Sequence, residues 1–377
     1  MKGKQGMVCM GLLLVLSSCH TGKQITASGL QRKDFQTEVN GQHTDLFTLS
    51  NKQGMEVCIT NYGARVVSIL VPDRNGKRED VVCGFSTITE YMEQRQNFGS
   101  TVGRYIGRIL NARFTLDGVE YKLVPNNGKS GHISHGGNPG FADRMWKVEQ
   151  ADTHRVRLSY LSPDGENGFP GNLKVTLVYS LGEDDNALDL TYEATTDAPT
   201  VLNLSHHSFF NISGNFTKSV EDQQLWVDAD RFTPYDDKKC VTGEYLQVAG
   251  TPLDFRMPHA IGECIDADHP QLKVVNGYDH TWELNTKGDD TRPAAWVYDP
   301  ASGRKMEIFT TEPGIQIYTG NGLKGKMTGK RGIAYPFRSA VCFETMHFQD
   351  SPNQPGFPST VLRPGEVFRS HTVYKFE

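Results

Sequence analysis

The sequence is short of cysteine, of surplus positive charge and of long apolar runs, and each shortage removes a class of protein. Seven cysteines occur in 377 residues. Setting aside Cys9 and Cys19 leaves Cys58, Cys83, Cys240, Cys264 and Cys342, an odd number at irregular spacing with no CxxC pair. That is neither a disulfide framework nor a zinc cluster. Cys58 and Cys342 stand in apolar runs and read as buried core thiols. Lys+Arg number 39 against 44 Asp+Glu, which excludes a strongly basic nucleic-acid binder. A single apolar run near the N-terminus excludes a polytopic membrane protein. A Walker loop, GxSxG and HExxH are all missing. No linker-like stretch divides the chain, and no repeat of solenoid or propeller period is evident.

What is present is ample material for a core, with 37% hydrophobic residues and a formal charge of only −5. The N-terminus reads as an address. Lys2 and Lys4 precede the apolar run Met7 to Leu16, which has the length of a signal h-region and is too short to span a bilayer as a helix. Leu16-Ser17-Ser18-Cys19 then resembles a bacterial lipobox, in which the cysteine becomes the lipidated first residue. The expected organisation is a signal peptide over 1–18, a lipidated Cys19 with a flexible polar tether over 19–33, and one domain over 34–377. The expected location is a bacterial cell envelope, facing the periplasm or the cell surface, with the lipid anchor as the only membrane contact.

From Asp34 onward the pattern is that of strands. Met55 to Thr60, Arg65 to Val71, Arg155 to Tyr160, Leu173 to Tyr179, Ala187 to Tyr192, Lys305 to Phe309 and Gly314 to Tyr318 alternate in period two or are β-branched. Turn signals separate them, Asp117-Gly118 among others, and only Ser86 to Gln94 offers a turn or two of helix. The fold class is therefore all-β, one large antiparallel sandwich with a wet face that a broad sheet would curve into a groove.

Several stretches are unlike ordinary strands. Gly103-Arg-Tyr-Ile-Gly-Arg-Ile109 places two arginines four apart among glycines, either as a site or as surface arginines in a turn. His132-Ile-Ser-His135-Gly-Gly137 and Asn203-Leu-Ser-His206-His207-Ser-Phe-Phe-Asn211 offer four imidazoles, which suit a metal site, hydrogen-bonded structural histidines or proton transfer. Asn276-Gly-Tyr-Asp279-His280 is a turn presenting a carboxylate, and Glu312-Pro-Gly-Ile-Gln316 follows. Glu344, in Val341-Cys-Phe-Glu-Thr345, sits inside an apolar strand. It is either a carboxylate on the wet face or a buried one, whose raised pKa makes it a usable general base. The three NxS/T matches at Asn203, Asn211 and Asn215 read as chance.

These segments, in this order and over about Thr44 to Phe376, resemble the aldose 1-epimerase (galactose mutarotase) family. The tail Pro352-Asn-Gln-Pro-Gly-Phe-Pro358 and Leu362-Arg-Pro-Gly-Glu366 adds to the likeness. The resemblance implies a galactose mutarotase-like β-supersandwich that interconverts the α and β anomers of free aldohexoses of the glucose/galactose class. It implies His207 as catalytic acid and Glu344 as catalytic base, with Arg108, His135, Asp279 and Gln316 holding the sugar. It implies a free monosaccharide substrate, a monomer and no cofactor for the chemistry. A structural calcium ion is compatible with the family, although no aspartate-rich loop here calls for one. An aromatic such as Tyr105, Phe209 or Trp282 is expected to cover an apolar sugar face. Two positions depart from the pattern: relatives usually carry Asn where Gly107 and His206 stand. The alternatives are a non-catalytic carbohydrate-binding protein on the same scaffold, a glycoside hydrolase using Asp279 and Glu344, and a histidine-metal enzyme.

Overall fold

The period-two stretches do form strands, and they assemble into three main antiparallel sheets. The computed structural model describes residues 24–377. The expected signal peptide and Cys19 lie outside these residues. A nine-stranded sheet runs in the order Lys147–Ala151, Arg155–Ser162, Leu173–Leu181, Ala187–Thr196, Phe368–Phe376, Lys305–Thr310, Ala295–Tyr298, Gln224–Val227 and His259–Ala260. A six-stranded sheet runs Phe209–Phe210, Val341–Met346, Gly314–Tyr318, Asp279–Glu283, Arg231–Thr233 and Leu246–Gln247. A four-stranded sheet holds Leu46–Ser50, Glu56–Thr60, Arg65–Pro72 and Arg78–Asp80. The helix expected near Ser86 is Ile88–Gln94, started by a capping box between Thr87 and Glu90. Asp117 and Gly118, both at positive φ, close the hairpin between Arg113–Leu116 and Val119–Lys122.

Burial explains the layering. The nine-stranded sheet alternates buried and open residues along Leu173–Leu181 and Ala187–Thr196, so one of its faces is wet. Its inner side chains, including Leu177, Tyr179, Leu190, Ile308 and Tyr374, form one core with Ile59, Ile69, Phe210, Ile315, Ile317 and Phe343. Val341–Met346 and Arg65–Pro72 are buried almost throughout, because both of their faces are covered. This corrects one expectation: the groove does not form on the wet face of the broad sheet but on the six-stranded sheet, on the face turned away from the nine-stranded one.

The tether is a second correction. From Gln24 onward the segment is built into the domain. Leu30 and Phe35 are buried, and the backbone N–H groups of Ala27 and Ser28 donate to the Glu56 carboxylate at 3.0 and 3.1 Å. Arg32 donates to Asp45 from Nε at 2.8 Å. Two separated apolar side chains and a satisfied turn fix a segment whose composition is otherwise polar.

Arg104 is not a surface arginine. It is 1% exposed, and its Nη1 donates to the carbonyls of Pro170 (2.7 Å) and Gly171 (3.0 Å). Its Nη2 donates to Ser162 Oγ (2.5 Å) and to the Pro163 carbonyl (3.2 Å). It ties the loop after Arg155–Ser162 to the segment that carries Arg108. Arg104→Met keeps most of the stem but leaves those acceptors buried without a donor. We expect a loss of about 2–3 kcal/mol in urea unfolding; a loss below ~0.5 kcal/mol would contradict this role.

Candidate active site

The candidate site follows from strand alternation. Successive side chains on a strand point to opposite faces. In Val341–Met346, Phe343 enters the core and Thr345 meets Thr372 of the nine-stranded sheet at 2.7 Å, while Cys342, Glu344 and Met346 face the other way. In Gly314–Tyr318, Ile315 and Ile317 enter the core, so Gln316 and Tyr318 face the cavity. In Asp279–Glu283, Trp282 enters the core, and Asp279 faces the cavity. In Ser205–His207 the neighbours split: His206 packs between Tyr179 and Tyr374, and His207 faces the cavity. Register completes the arrangement, with Gln316 opposite Glu344 and Thr281 opposite Gln316.

All six residues expected at the site, Arg108, His135, His207, Asp279, Gln316 and Glu344, line this one cavity of about 260 Å³. That lies just under the range that holds drug-sized ligands and suits a single small sugar. Glu344 is 4% exposed, so it is buried and not on a wet face. His207 Nε2 lies 3.2 Å from Glu344 Oε1, and His207 Nδ1 lies 3.7 Å from Cys342 Sγ. Burial pushes the His207 pKa down to about 4 and raises that of Glu344 well above the carboxylate range, with the Asp279 charge adding to the second shift. Burial thus disfavours the charged form of each group, which favours one proton shared by the pair over a separate imidazolium and carboxylate.

The remaining polar groups hold one another in place. Gln316 Nε2 donates to Asp279 Oδ1 at 2.7 Å, and the Thr281 hydroxyl donates to Gln316 Oε1. Burial raises the Asp279 pKa, and Arg108 works against that rise. Tyr235 and Asp279 help to keep Arg108 charged against its burial. His135, at φ +52, donates its backbone N–H to the Gly107 carbonyl at 2.9 Å, and its ring stands edge-on to His207 with centroids 5.4 Å apart. Burial pushes the His135 pKa down to about 3, so its imidazole is neutral.

The four imidazoles do not converge on an ion. His132 accepts from the Asn111 N–H at 2.9 Å and meets Cys240 Sγ at 3.2 Å. His206 lies on the core side, with its Nε2 2.6 Å from Ser208 Oγ. His207, Cys342 and Glu344 do bring ligand atoms within 4.8 Å of one another. Burial raises the pKa of the Cys342 thiol, with the Glu344 charge adding to the rise.

Of the three aromatics expected over the sugar, only Phe209 lines the cavity. Tyr105 donates its hydroxyl to the Phe348 carbonyl at 3.1 Å, and Trp282 donates to the Leu253 carbonyl at 3.0 Å. Both rings are buried elsewhere. Tyr235, Asn97 and Gln349 belong to the site or its support and carry no periodic signal in the sequence, because they lie outside alternating strands. The nearest signal for Gln349 was its place five residues after Glu344 in a polar turn.

Comparison with known proteins agrees with the geometry. The family model described as Aldose 1-epimerase matches residues 45–375. The chain is 40% identical over 331 residues to the galactose mutarotase of Bos taurus, covering 88% of this chain and 93% of that protein. It is 36% identical over 340 residues to the aldose 1-epimerase of Escherichia coli strain K12, covering 89% and 96%. Among solved structures, the GalM/aldose epimerase homologue from C. elegans superposes with a TM-score of 0.81 at 31% identity, covering 89% of this chain and 99% of the other. The galactose 1-epimerase of Lactobacillus acidophilus gives 0.78 at 28% identity, covering 90% and 96%.

Proposed function

The chain belongs to the aldose 1-epimerase family and is an isomerase that interconverts aldose anomers, and from that premise we propose how its residues divide the work. His207 is the catalytic acid and Glu344 the catalytic base. Arg108, His135, Asp279 and Gln316 hold a free aldohexose of the glucose/galactose class. The observation that carries this reading is the 3.2 Å contact between His207 Nε2 and Glu344 Oε1 inside a cavity walled by the other four.

The reaction uses the one proton of the pair. With the proton on His207 Nε2, the Glu344 carboxylate takes the proton of the O1 hydroxyl while Nε2–H gives its proton to ring oxygen O5. The C1–O5 bond breaks with its electron pair going to O5, and C1–O1 becomes a carbonyl. His207 is then neutral and Glu344 protonated. Rotation about C1–C2 presents the other face of the aldehyde. The O5 hydroxyl adds to it, returning its proton to Nε2 while Glu344 gives its proton to O1. Protons and charge balance over the cycle, and no cofactor is needed. Ring opening turns an ion pair into a neutral pair, the form that burial favours. Cys342 Sγ, 3.7 Å from Nδ1, offers an acceptor for an Nδ1–H, which leaves Nε2 for the sugar.

Asp279 accepts from sugar hydroxyls, and Arg108 and neutral His135 donate to sugar oxygens. Gln316, its amide oriented by Asp279 and Thr281, fixes that end of the ring while C1 turns. A module that only binds sugar has no need of a buried acid–base couple.

The lipobox supports a second proposal: Cys19 carries a lipid that anchors the enzyme in a bacterial envelope, where it meets sugars released outside the cytoplasm.

The test of the first proposal is polarimetry on freshly dissolved α-glucose and α-galactose, which the protein is expected to equilibrate faster than buffer does. Glu344→Gln and His207→Asn should each lower the rate about 10²-fold or more, the usual worth of one acid–base group. Near-parental rates in either variant would unseat that assignment, and no acceleration with glucose, galactose or xylose would unseat the substrate class. For the anchor, the full-length protein should partition into detergent and Cys19→Ala into the aqueous phase; equal partitioning would contradict lipidation.

A further inference from the structure

Gly107 precedes Arg108 at φ +76, and a Cβ placed on it would lie 2.5 Å from Cγ of Gln349 and 3.1 Å from its Cδ. The space beside this glycine is therefore already taken by an amide side chain from a distant turn. Gln349 is 4% exposed and lines the cavity. Its Oε1 accepts the Arg108 backbone N–H at 3.2 Å. Its Nε2 donates to the Tyr235 hydroxyl at 2.7 Å and approaches Gln316 Oε1 at 3.4 Å. One side chain thus reaches the backbone of one sugar-holding residue, the amide of another, and the tyrosine that helps to keep Arg108 charged.

We propose that Gln349 is a positioning residue for sugar binding, and that Gly107 and Gln349 work as a pair in which the glycine cedes its side-chain space to the glutamine amide. The inference rests on the epimerase reading of the same site. Gln349 does not touch the His207–Glu344 couple, so its role is to set where Arg108 and Gln316 meet the hydroxyls and not to move protons. Ablating it should weaken sugar affinity and leave the chemical step near its parental rate. The pairing adds a requirement that simple structural support does not: an amide supplied from position 107 should stand in for the one at 349. Asn is the natural choice, since it tolerates positive φ better than other side chains.

The experiment compares Gln349→Ala, Gln349→Met, Gly107→Asn and the double variant Gly107→Asn/Gln349→Ala by steady-state mutarotation of galactose. Gln349→Ala and the volume-preserving Gln349→Met should raise KM roughly tenfold, the scale of one or two lost buried hydrogen bonds, with kcat within about threefold of parental. Gly107→Asn alone should raise KM because its side chain meets Gln349. The double variant should return KM to within about threefold of the parental value, a non-additivity that marks direct coupling. KM within about twofold of parental in both Gln349 variants, or a double variant no better than Gln349→Ala, would overturn the proposal. An inactive parental protein would instead overturn the epimerase reading. Galactose binding by calorimetry, applied to the same four variants, then reads the Gln349 effect without turnover.

Discussion

Two titratable groups, His207 and Glu344, meet at 3.2 Å in a place where neither has much water. Burying a charged imidazole or carboxylate alone is costly, and burying the two as a full ion pair regains that cost only with good geometry. A pair sharing one proton avoids most of the penalty, because the charged and uncharged arrangements differ only by a shift of that proton. The chemistry needs the same shift. Much of the surrounding structure can be understood as the means of holding this contact dry, close and open to a sugar on one side only.

The sheet arrangement does this with a simple device. Gly314–Tyr318 turns Ile315 and Ile317 to the core and Gln316 and Tyr318 to the cavity, and Val341–Met346 turns Val341 and Phe343 to the core and Glu344 to the cavity. The apolar face packs on the nine-stranded sheet, where each buried Ile or Phe contributes roughly 1.5–3 kcal/mol. Those contacts offset the polar lining on the opposite face. Cross-sheet hydrogen bonds fix the register: Thr345 to Thr372 at 2.7 Å, and the Tyr374 hydroxyl to the Phe343 carbonyl at 3.0 Å, on either side of Glu344. A slip of one residue would send Glu344 into the core and Phe343 into the cavity. The same logic sorts His206 from His207, which is why a second imidazole is tolerated there without joining the site.

The period-two strands were legible because half-buried strands reveal their faces in composition, and the long pairings follow from them. Glu344 stood out as a carboxylate in an apolar run, and His207 as part of a doublet in a β-rich chain. Their assignment as a couple came from the family resemblance, since alternation alone does not say which strands lie side by side. Arg104 and Arg108 could not be told apart by spacing; only the chain's path decides that one enters the interior and the other the cavity. Tyr235 and Gln349 leave no mark in the sequence pattern because turns carry no periodicity. The packed segment from Gln24 has the composition of a tether because its few apolar residues are diluted among polar ones, and its anchor, Glu56, lies in another element.

The claim that one shared proton drives the reaction is tested most directly by the pH dependence of kcat/KM, which reports the free enzyme. The active form carries a single proton on the pair. Below the His207 pKa, depressed to about 4, a second proton is added and no base remains. Above the pKa of Glu344, raised by burial, the proton is gone and no acid remains. An acid limb near pH 4 and an alkaline limb displaced well above the ordinary carboxylate range are expected. An acid limb centred on the ordinary imidazole value of about 6.5, or no acid limb at all, would contradict the claim.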